Sequence, residues 1–333
     1  MVAAPLSFGS ESASGPRPLN LRTDIPRVLA LLNLVFQSSL HADGRRRLKS
    51  LSLSQYPWPL LYLRQWWRGA VPGFVWEEER EIVGNVSLLT TSRPQRYLIA
   101  NVAVHPAYRR QGIARLLMEA ALDHVEEQGG GEVLLQVKHD NAAAIRLYET
   151  LGFATVGRVT SWVSSYSRVL PPAVAVSERS PDRFDGFLLR PLRRSEWRAA
   201  WQLDRESMHP DLNWPVPAPP DTYRRGWLQQ LNELLNGRQI ETWVAEDPAG
   251  TMAGLGTIVG EWGRAHTLRL RVRPAWQGEI EPALLAKLLR RVRHLARREI
   301  RMEHPAADET TNTLLQAANF RRQRTLTVMR FDY

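Results

Sequence analysis

The residues with the clearest chemical meaning lie between positions 104 and 114, where two arginines precede a glycine and, two residues later, an alanine. An apolar stretch at 97–104 comes before them, and apolar residues three and four apart come after them, which predicts a strand that leads into a helix. Backbone N–H groups in a first helical turn lack an intrahelical partner, and the helix dipole and guanidinium groups add positive potential. The pattern therefore predicts a site for a phosphate-bearing ligand.

The elements that must position this site follow in a regular order. A second apolar segment at 132–137 predicts another strand, and 141–153 predicts a second helix that ends at Gly152. The helix after Gly112 is expected to turn one apolar face to the protein interior. That predicted face consists of Ile113, Leu116, Leu117, Ala120 and Val125.

Two motifs in this region resemble signatures of the GNAT superfamily of N-acetyltransferases. Segment 109–114 fits Arg/Gln-x-x-Gly-x-Gly/Ala after a Val-x-Pro turn, and segment 141–153 fits Asn-x-x-Ala-x-x-x-Tyr-x-x-x-Gly-Phe. The motifs lie within residues 97–160 in the order of the family, and a weaker likeness extends from about residue 20 to 165. The resemblance implies an α/β (α+β) fold, with a mixed, mostly antiparallel central sheet flanked by helices, that binds acetyl-coenzyme A (acetyl-CoA).

The resemblance also implies roles for single residues in the direct transfer of an acetyl group from the thioester to an amine. Asn141 and the strand amides would bind the pantetheine arm and the acetyl carbonyl, and the loop would hold the pyrophosphate. Tyr148 would protonate the leaving thiolate, because a phenol stays protonated at neutral pH; its alternative role is packing. The strand residues are Val102, Ala103 and Val104, and the loop residues are Arg109, Arg110, Gln111, Gly112, Ile113 and Ala114. No metal is expected.

The general base is not identified by these motifs. The strand offers only Asn101, which is not a base, and His105 is most simply the first residue of the loop. A chain of water molecules is at least as good a candidate for the general base as His105. A cluster of carboxylates is expected to form a solvated hairpin tip, and it consists of Glu77, Glu78, Glu79 and Glu81.

Length and composition restrict the class of protein. A chain of 333 residues suits two domains, and an apolar fraction of 44% is typical of a globular protein. The sequence has no cysteine, which excludes disulfides, thiolate metal sites and thiol nucleophiles. The sequence has no run of 18 apolar residues, so no transmembrane helix is expected. The expected compartment is the cytoplasm. Residues 1–17 are rich in small residues and predict a disordered tail.

The net charge of +10 raises the question of nucleic-acid binding. The candidate basic patches are Arg45–Arg47 and a predicted helix that carries Arg290, Arg291, Arg293, Arg297 and Arg298. No nucleic-acid-binding motif accompanies them, and a positive surface also attracts coenzyme A. The expected partner is therefore a small-molecule or peptide amine rather than a nucleic acid, and the protein is expected to be a monomer or a homodimer.

The order of elements repeats after a linker at 166–185, which predicts an internal duplication. The predicted domains are 18–165, the acetyl-CoA-binding GNAT domain, and 186–333, a second GNAT-like domain. Val-x-Pro-Ala-aromatic occurs in both, at 104–108 and at 272–276. The second copy also predicts helices at 197–204, 222–235 and 284–295, and a strand pair at 242–246 and 252–259.

The second copy is expected to be degenerate. Glu279 and Glu281 occur where the first copy has arginines, and carboxylates would repel a pyrophosphate. Counting back from Phe320 places Leu315 at the position of Tyr148, and leucine has no proton to donate. This copy is predicted to support the first or to shape its acceptor site.

Several functions remain open at this point. The acceptor is a small molecule (an antibiotic, a polyamine or an amino sugar) or a protein or peptide amine, and the tandem layout is similar to that of mycothiol synthase. Aromatic segments at 56–67 and 209–217 would line the acceptor pocket or pack in the core. The alternative outside this class is a non-catalytic protein that binds or senses acyl-CoA, which would bind it without releasing thiol.

Overall fold

The computed structural model describes residues 15–42, 71–173, 183–184, 186–224, 226 and 237–333. The chain divides into two compact units. Unit 1 comprises Met1–Gln136, Ala143–Ala154 and Arg330–Tyr333, and unit 2 comprises Val137–Ala142 and Thr155–Met329. Each unit contains strands and helices, so the predicted mixed α/β fold class is confirmed. Within the described ranges, no helix combines the length and the apolar character that crossing a membrane requires.

Unit 1 is built on five strands in the order β1-β2-β3-β4-β5. The first four are antiparallel neighbours, and β5 runs parallel to β4. Three helices belong to this part of the chain: α1 (Ile25–Ala42), α2 (Ile113–Glu127) and α3 (Ala142–Thr150). The strands are β1 (Pro16–Pro18), β2 (Gly73–Glu78), β3 (Glu81–Thr90), β4 (Arg96–Val104) and β5 (Glu132–Lys138), which confirms the strands predicted at 97–104 and 132–137.

Helix α2 begins at Ile113, as predicted, but its apolar face differs from the expected one. Leu116 is 41% exposed and Ala120 is half-buried. The buried residues repeat every four positions along the helix. Leu116 lies at the side of this buried face and is therefore exposed. The buried residues are Ile113, Leu117, Met118, Ala121, Leu122 and Val125.

Unit 2 contains a larger sheet, in the order β13-β6-β12-β11-β10-β9-β8-β7. Its helices are α4 (Trp197–Ser207), α5 (Glu281–Val292) and α6 (Glu309–Ala317). Strands β11 and β12 are parallel, whereas β12 and β6 are antiparallel. The strands are β6 (Ala154–Ser164), β7 (Arg183–Phe184), β8 (Phe187–Pro191), β9 (Arg238–Glu246), β10 (Met252–Glu261), β11 (His266–Val272), β12 (Ile300–Pro305) and β13 (Arg321–Asp332).

Helix α5 is shorter than predicted. Its apolar face matches the prediction from Leu284 to Val292, but the helix ends at Val292, so Leu295 lies beyond it. Arg293, Arg297 and Arg298 therefore do not extend a basic helical face. The predicted patch at 45–47, most of the predicted helix at 222–235 and much of the linker at 166–185 lie outside the described residues.

The ends of the two sequence copies do not follow the simple tandem order. Strand β6, which follows α3 in the chain, pairs with β12 inside unit 2. The last four residues of the chain belong to unit 1, where the Tyr333 amide donates to Gly131 O at 3.2 Å and the Phe331 ring lies 5.5 Å from the Phe153 ring. The predicted boundaries at 18–165 and 186–333 stay a prediction.

An ion-pair cluster fixes the start of unit 1. Arg17 Nη1 donates to Asp24 Oδ2 at 2.7 Å, and Arg17 Nε donates to Glu77 Oε2 at 2.9 Å. Arg27 also donates to both carboxylates. The prediction of a solvated hairpin tip is therefore wrong for Glu77, whose pKa the hydrogen bond from Arg17 lowers.

Unit 2 repeats this cluster. Arg190 Nε donates to Glu246 Oε2 at 2.6 Å, and its Nη1 donates to Glu196 Oε2 at 2.8 Å. Arg17 lies in β1 and Arg190 lies in β8. Each binds a glutamate near the end of a later strand, β2 or β9. The same three-group geometry on both sides supports the predicted internal duplication.

The close contacts of two glycines show which residues of the two copies are equivalent. A Cβ on Gly84 would lie 2.8 Å from Ile113 Cγ2, and a Cβ on Gly254 would lie 2.5 Å from Ile280 Cδ1. Both glycines let the following helix approach the sheet closely. Ile113 and Ile280 are therefore equivalent, and the loop before them is one residue shorter in unit 2.

Candidate functional site

A bulge in β4 opens the edge of this strand in unit 1. The pairing with β3 changes register between Asn85 and Ser87, and Asn101 has a φ of 52°. Asn85 Nδ2 donates to Asn101 O at 2.8 Å and holds the bulge. On the other side, pairing with β5 ends at Ile99 and Leu135. The residues of β4 after Ile99 therefore pair with β3 but not with β5.

The free edge of β4 carries the backbone groups that the sequence predicted. The His105 amide donates to Val83 O at 2.8 Å, toward β3. Because backbone groups alternate in direction along a regular strand, the amide of Val104 points to the opposite edge, whereas Val102 lies in the bulge. Arg109 Nε reaches Val104 O from that edge at 3.3 Å. The Val104 amide can receive a carbonyl oxygen, and Ala103 faces β3.

The N-terminus of α2 has no side chain that caps it. Gly112 is the N-cap residue, with a φ of 82° and no side-chain hydrogen bond to the first turn. A Cβ at this position would meet no protein atom within 4 Å. Arg109 and Arg110 are exposed, and neither forms an ion pair with another described residue. The loop with Gln111, Ile113 and Ala114 therefore fits a diphosphate by its free amides and its charge.

The equivalent position in unit 2 is filled by a side chain of the protein. Glu281 corresponds to Ala114, because each follows the equivalent isoleucine of its copy. The Gly278 amide donates to Glu281 Oε2 at 2.9 Å, and Glu281 is 1% exposed. Burial raises the pKa of Glu281. Its carboxyl group thus occupies the helix N-terminus, whereas Glu279 is exposed.

Strand β11 of unit 2 also lacks the bulge. It pairs with β10 without a shift from Gly254 opposite Val272 to Val259 opposite Thr267. The bulge, and a helix N-terminus with no carboxyl group beside it, are therefore features of unit 1. This contrast supports the prediction that the second copy is degenerate.

Tyr148 lies on α3 and is 6% exposed. Its ring centroid is 6.0 Å from that of Phe153, and burial raises the pKa of Tyr148 to about 12. The Phe153 amide donates to Tyr148 O at 3.0 Å, just as the Phe320 amide donates to Leu315 O at 2.9 Å. The predicted equivalence of Tyr148 and Leu315 is confirmed, and the catalytic role of the tyrosine stays a prediction.

The remaining predicted site residues have defined surroundings. The Asn141 amide donates to Lys138 O at 3.0 Å at the start of α3, and its proposed contact with pantetheine stays a prediction. His105 Nδ1 accepts the Ala107 amide at 3.3 Å, which confirms that His105 begins the loop. Segment 56–67 lies outside the described residues, and 209–217 is largely half-buried.

Sequence reasoning missed the part that Asn101 plays. Asn101 is not a base, but its left-handed backbone forms the bulge next to the unpaired end of β4. The signal was present, since asparagine tolerates a positive φ better than most residues and lies in the middle of a predicted strand.

The region that holds this geometry matches a known family. The model described as "Acetyltransferase (GNAT) family" matches residues 42–153, which include the bulged strand, the loop and Tyr148. Over these residues the chain matches the GNAT acetyltransferase family.

Two curated relatives are similar to part of the chain. The ribosomal protein bS18-alanine N-acetyltransferase of Escherichia coli K12 is 50% identical over 60 residues, which are 17% of this chain and 40% of the relative. The streptothricin acetyltransferase of Streptomyces lavendulae is 36% identical over 77 residues, or 23% of this chain and 41% of the relative. The chain thus spans about two-fifths of the length of the curated relatives it matches.

Solved structures resemble the chain over nearly its whole length. A GCN5-related N-acetyltransferase from Sphaerobacter thermophilus has a TM-score of 0.61 at 17% identity and covers 95% of both chains. A tandem GNAT protein from the clavulanic acid biosynthesis pathway has a TM-score of 0.52 at 17% identity, over 95% of this chain and 98% of the other. These likenesses confirm the predicted tandem GNAT fold.

Proposed function

We propose that unit 1 is an acetyl-CoA-dependent N-acetyltransferase that acetylates a primary amine of a small molecule or a peptide. The observation that carries this proposal is the uncapped N-terminus of α2, directly after a strand whose edge is open, within the segment that matches the family. Unit 2 lacks the bulge next to this edge, and the carboxyl group of Glu281 lies at the start of its equivalent helix.

The residues present fit the bound form of acetyl-CoA. The first-turn amides of α2, with Arg109 and Arg110, would hold the diphosphate through charge-assisted hydrogen bonds. The backbone amides at the end of β4, at Val102 and Val104, would bind the pantetheine arm and polarise the acetyl carbonyl, as an oxyanion hole does. Bound acetyl-CoA supplies the activated acyl group, and the protein orients it.

Tyr148 would stabilise the sulfur as charge develops there. Because burial raises its pKa to about 12, the hydroxyl keeps its proton at neutral pH. A thiol has a pKa near ~8.5, so complete proton transfer from this phenol to a thiolate is uphill. We therefore assign Tyr148 the role of a hydrogen-bond donor whose interaction strengthens toward the transition state.

The amine must lose its proton to a group outside the residues named so far. Glu77 is held in its ion pairs with Arg17 and Arg27, and His105 Nδ1 accepts a backbone amide in the loop. A water chain is thus the proposed route for the proton. Of the relatives, one acts on the alanine of a ribosomal protein and the other on streptothricin, so peptide and small-molecule acceptors both remain in the proposal.

Calorimetric titration of the full chain with acetyl-CoA, followed by a screen of amines for thiol release, tests this function. We expect one site per chain and thiol release with at least one primary amine. Two equivalent sites would contradict the assignment of the site to unit 1. Binding without thiol release on any amine would favour a protein that senses acyl-CoA.

A further inference from the structure

A cavity of about 260 Å³ lies within unit 2, on the side where β11 and β12 separate. Their pairing ends at Leu268 and Met302, and the later residues of both strands line the cavity. The start of α5 and the start of α6 close it. This cavity belongs to the second copy, and nothing in the proposed acetyltransferase mechanism uses it.

His304 contributes the first polar group to the cavity. Its Nε2 lies 2.7 Å from Asp308 Oδ2, and the hydrogen bond from His304 holds the pKa of Asp308 at about 2 against the effect of burial. An ionised carboxylate only accepts hydrogen bonds, so Nε2 carries the proton. Burial lowers the pKa of His304, which keeps the ring neutral and makes Nδ1 an acceptor. His304 Nδ1 is buried and finds no hydrogen-bond partner in the described part of the chain.

Glu281 contributes the second polar group. Its Oε2 accepts the Gly278 amide, but its Oε1 is buried and has no partner among the described residues. The charge of Asp308 raises the pKa of Glu281 further, and both side chains line the same cavity. The cavity therefore has a second buried acceptor next to the first.

The guanidinium of Arg271, which lines the cavity, is already engaged. Arg271 Nε donates to Asp204 Oδ1 at 2.5 Å, its Nη1 donates to Leu270 O at 2.8 Å, and its Nη2 donates to Asn213 Oδ1 at 2.7 Å. Asp204 neutralises the guanidinium, which leaves Asp308 as the ionised carboxylate of the cavity, and a bound cation would favour the ionised form of Glu281 as well. A ligand must thus bring donors and positive charge.

We propose that this cavity binds a small organic compound through its primary ammonium group. The N–H bonds of such a group would satisfy Glu281 Oε1 and His304 Nδ1 together, and its charge would complement the two carboxyl groups. Among the described residues, no three potential ligands converge to hold a metal ion, which favours an organic cation. The volume lies below the usual ~300–1,000 Å³ of sites for larger ligands. The proposal concerns unit 2 alone and stands whether or not unit 1 binds acetyl-CoA.

Titration of the full chain with propylammonium, followed through the ring NMR signals of His304, tests the proposal. Tetramethylammonium is the matched probe, because it has the charge but no N–H donor. We expect saturable binding of propylammonium with a dissociation constant on the order of 1 mM, and at least ~10-fold weaker binding of tetramethylammonium. Equal affinity for the two cations, or the absence of saturable propylammonium binding, would overturn the proposal; this comparison requires no variant.

Two substitutions locate the bound amine. Glu281→Gln keeps the shape of the side chain and removes its charge, and we expect the affinity for propylammonium to fall ~10-fold or more. Glu279→Gln removes an exposed charge two residues away and should leave the affinity unchanged. Thermal melting of each variant reports whether it folds. Binding that survives Glu281→Gln belongs to another site, such as the amine acceptor site of unit 1, and refutes the assignment.

Discussion

The two copies suggest a single substitution that should close the proposed acetyl-CoA site without damage to the fold. Ala114 is equivalent to Glu281, whose carboxyl group accepts the Gly278 amide at 2.9 Å and fills the N-terminus of α5. Ala114→Glu would place the same group at the N-terminus of α2. The new carboxylate would then compete with the diphosphate for the free amides.

The size of the effect follows from the groups that are lost. A hydrogen bond to a charged group contributes about 1.5–3 kcal/mol, so loss of one or two such bonds lowers the affinity roughly 10- to 1,000-fold or more. Repulsion between the carboxylate and the diphosphate adds to this loss. By contrast, an acidic residue in a first helical turn stabilises the helix by about 0.3–1 kcal/mol. The variant should therefore bind acetyl-CoA at least ~100-fold more weakly and melt at the same or a slightly higher temperature without ligand.

Calorimetric titration with acetyl-CoA and thermal melting without it measure the two effects separately. Ala114→Gln serves as the control, because it adds nearly the same volume without the charge and should reduce affinity less. An unchanged dissociation constant for Ala114→Glu would refute the argument that the diphosphate binds at these amides. A large fall in melting temperature would refute the equivalence of Ala114 and Glu281.

Three further predictions follow from the geometry. Tyr148→Phe keeps the packing against Phe153 and removes the donor, so kcat should fall ~10²–10³-fold with little change in stability, as steady-state kinetics and melting would measure. Gly84→Ala and Gly254→Ala should each cost about 1–3 kcal/mol in urea unfolding, because each Cβ would contact an isoleucine at under 3 Å. Burial opposes the ionisation of Asp24, but hydrogen bonds from Arg17 hold its pKa at about 2, below the unfolded value of 3.8; its stabilising contribution should be complete above the unfolded pKa and disappear as the pH falls through about 2.

Each of these predictions has a result that would contradict it. Turnover of Tyr148→Phe near the wild-type rate would show that the hydroxyl only packs. Gly84→Ala with wild-type stability would mean that the helix does not lie close to the sheet there. For Asp24, the comparison is with Asp24→Asn across a pH series: a stability difference that persists undiminished near pH 2 would show that the ion pairs do not supply it.

Much of the site could be predicted from the residues because its signals are local. The strand at 96–104, the turn at Pro106 and the start of α2 at Ile113 depend on hydrophobic alternation, proline and glycine within a short segment. The left-handed backbone of Gly112 likewise needs only the absence of a Cβ. Local chemistry therefore placed the loop, its arginines and its free amides.

Features that depend on distant contacts could not be predicted in the same way. Leu116 fits a helical spacing of three, yet it is exposed because the position of the sheet decides which flank of α2 is buried. The spacing of Glu77 fits a solvated tip, but Arg17 and Arg27 bind it although they lie 60 and 50 positions away in the chain. Such pairings have no signal in the neighbouring sequence.

The sequence by itself determined that the chain has two related copies and that the motif of the first suits a phosphate-bearing ligand, because both facts depend on residue types at fixed spacing. The residue types also predicted that the second copy is degenerate, but only the tertiary structure decided how the two sites are built. It shows a bulge at Asn101 beside the unpaired end of β4. It also shows a glutamate whose carboxyl group binds the Gly278 amide and borders a cavity with two buried acceptors that have no partner among the described residues. These features arise where strands and helices from different parts of the sequence pack together. The packing decides which backbone groups are left unpaired and which group a buried carboxyl group binds.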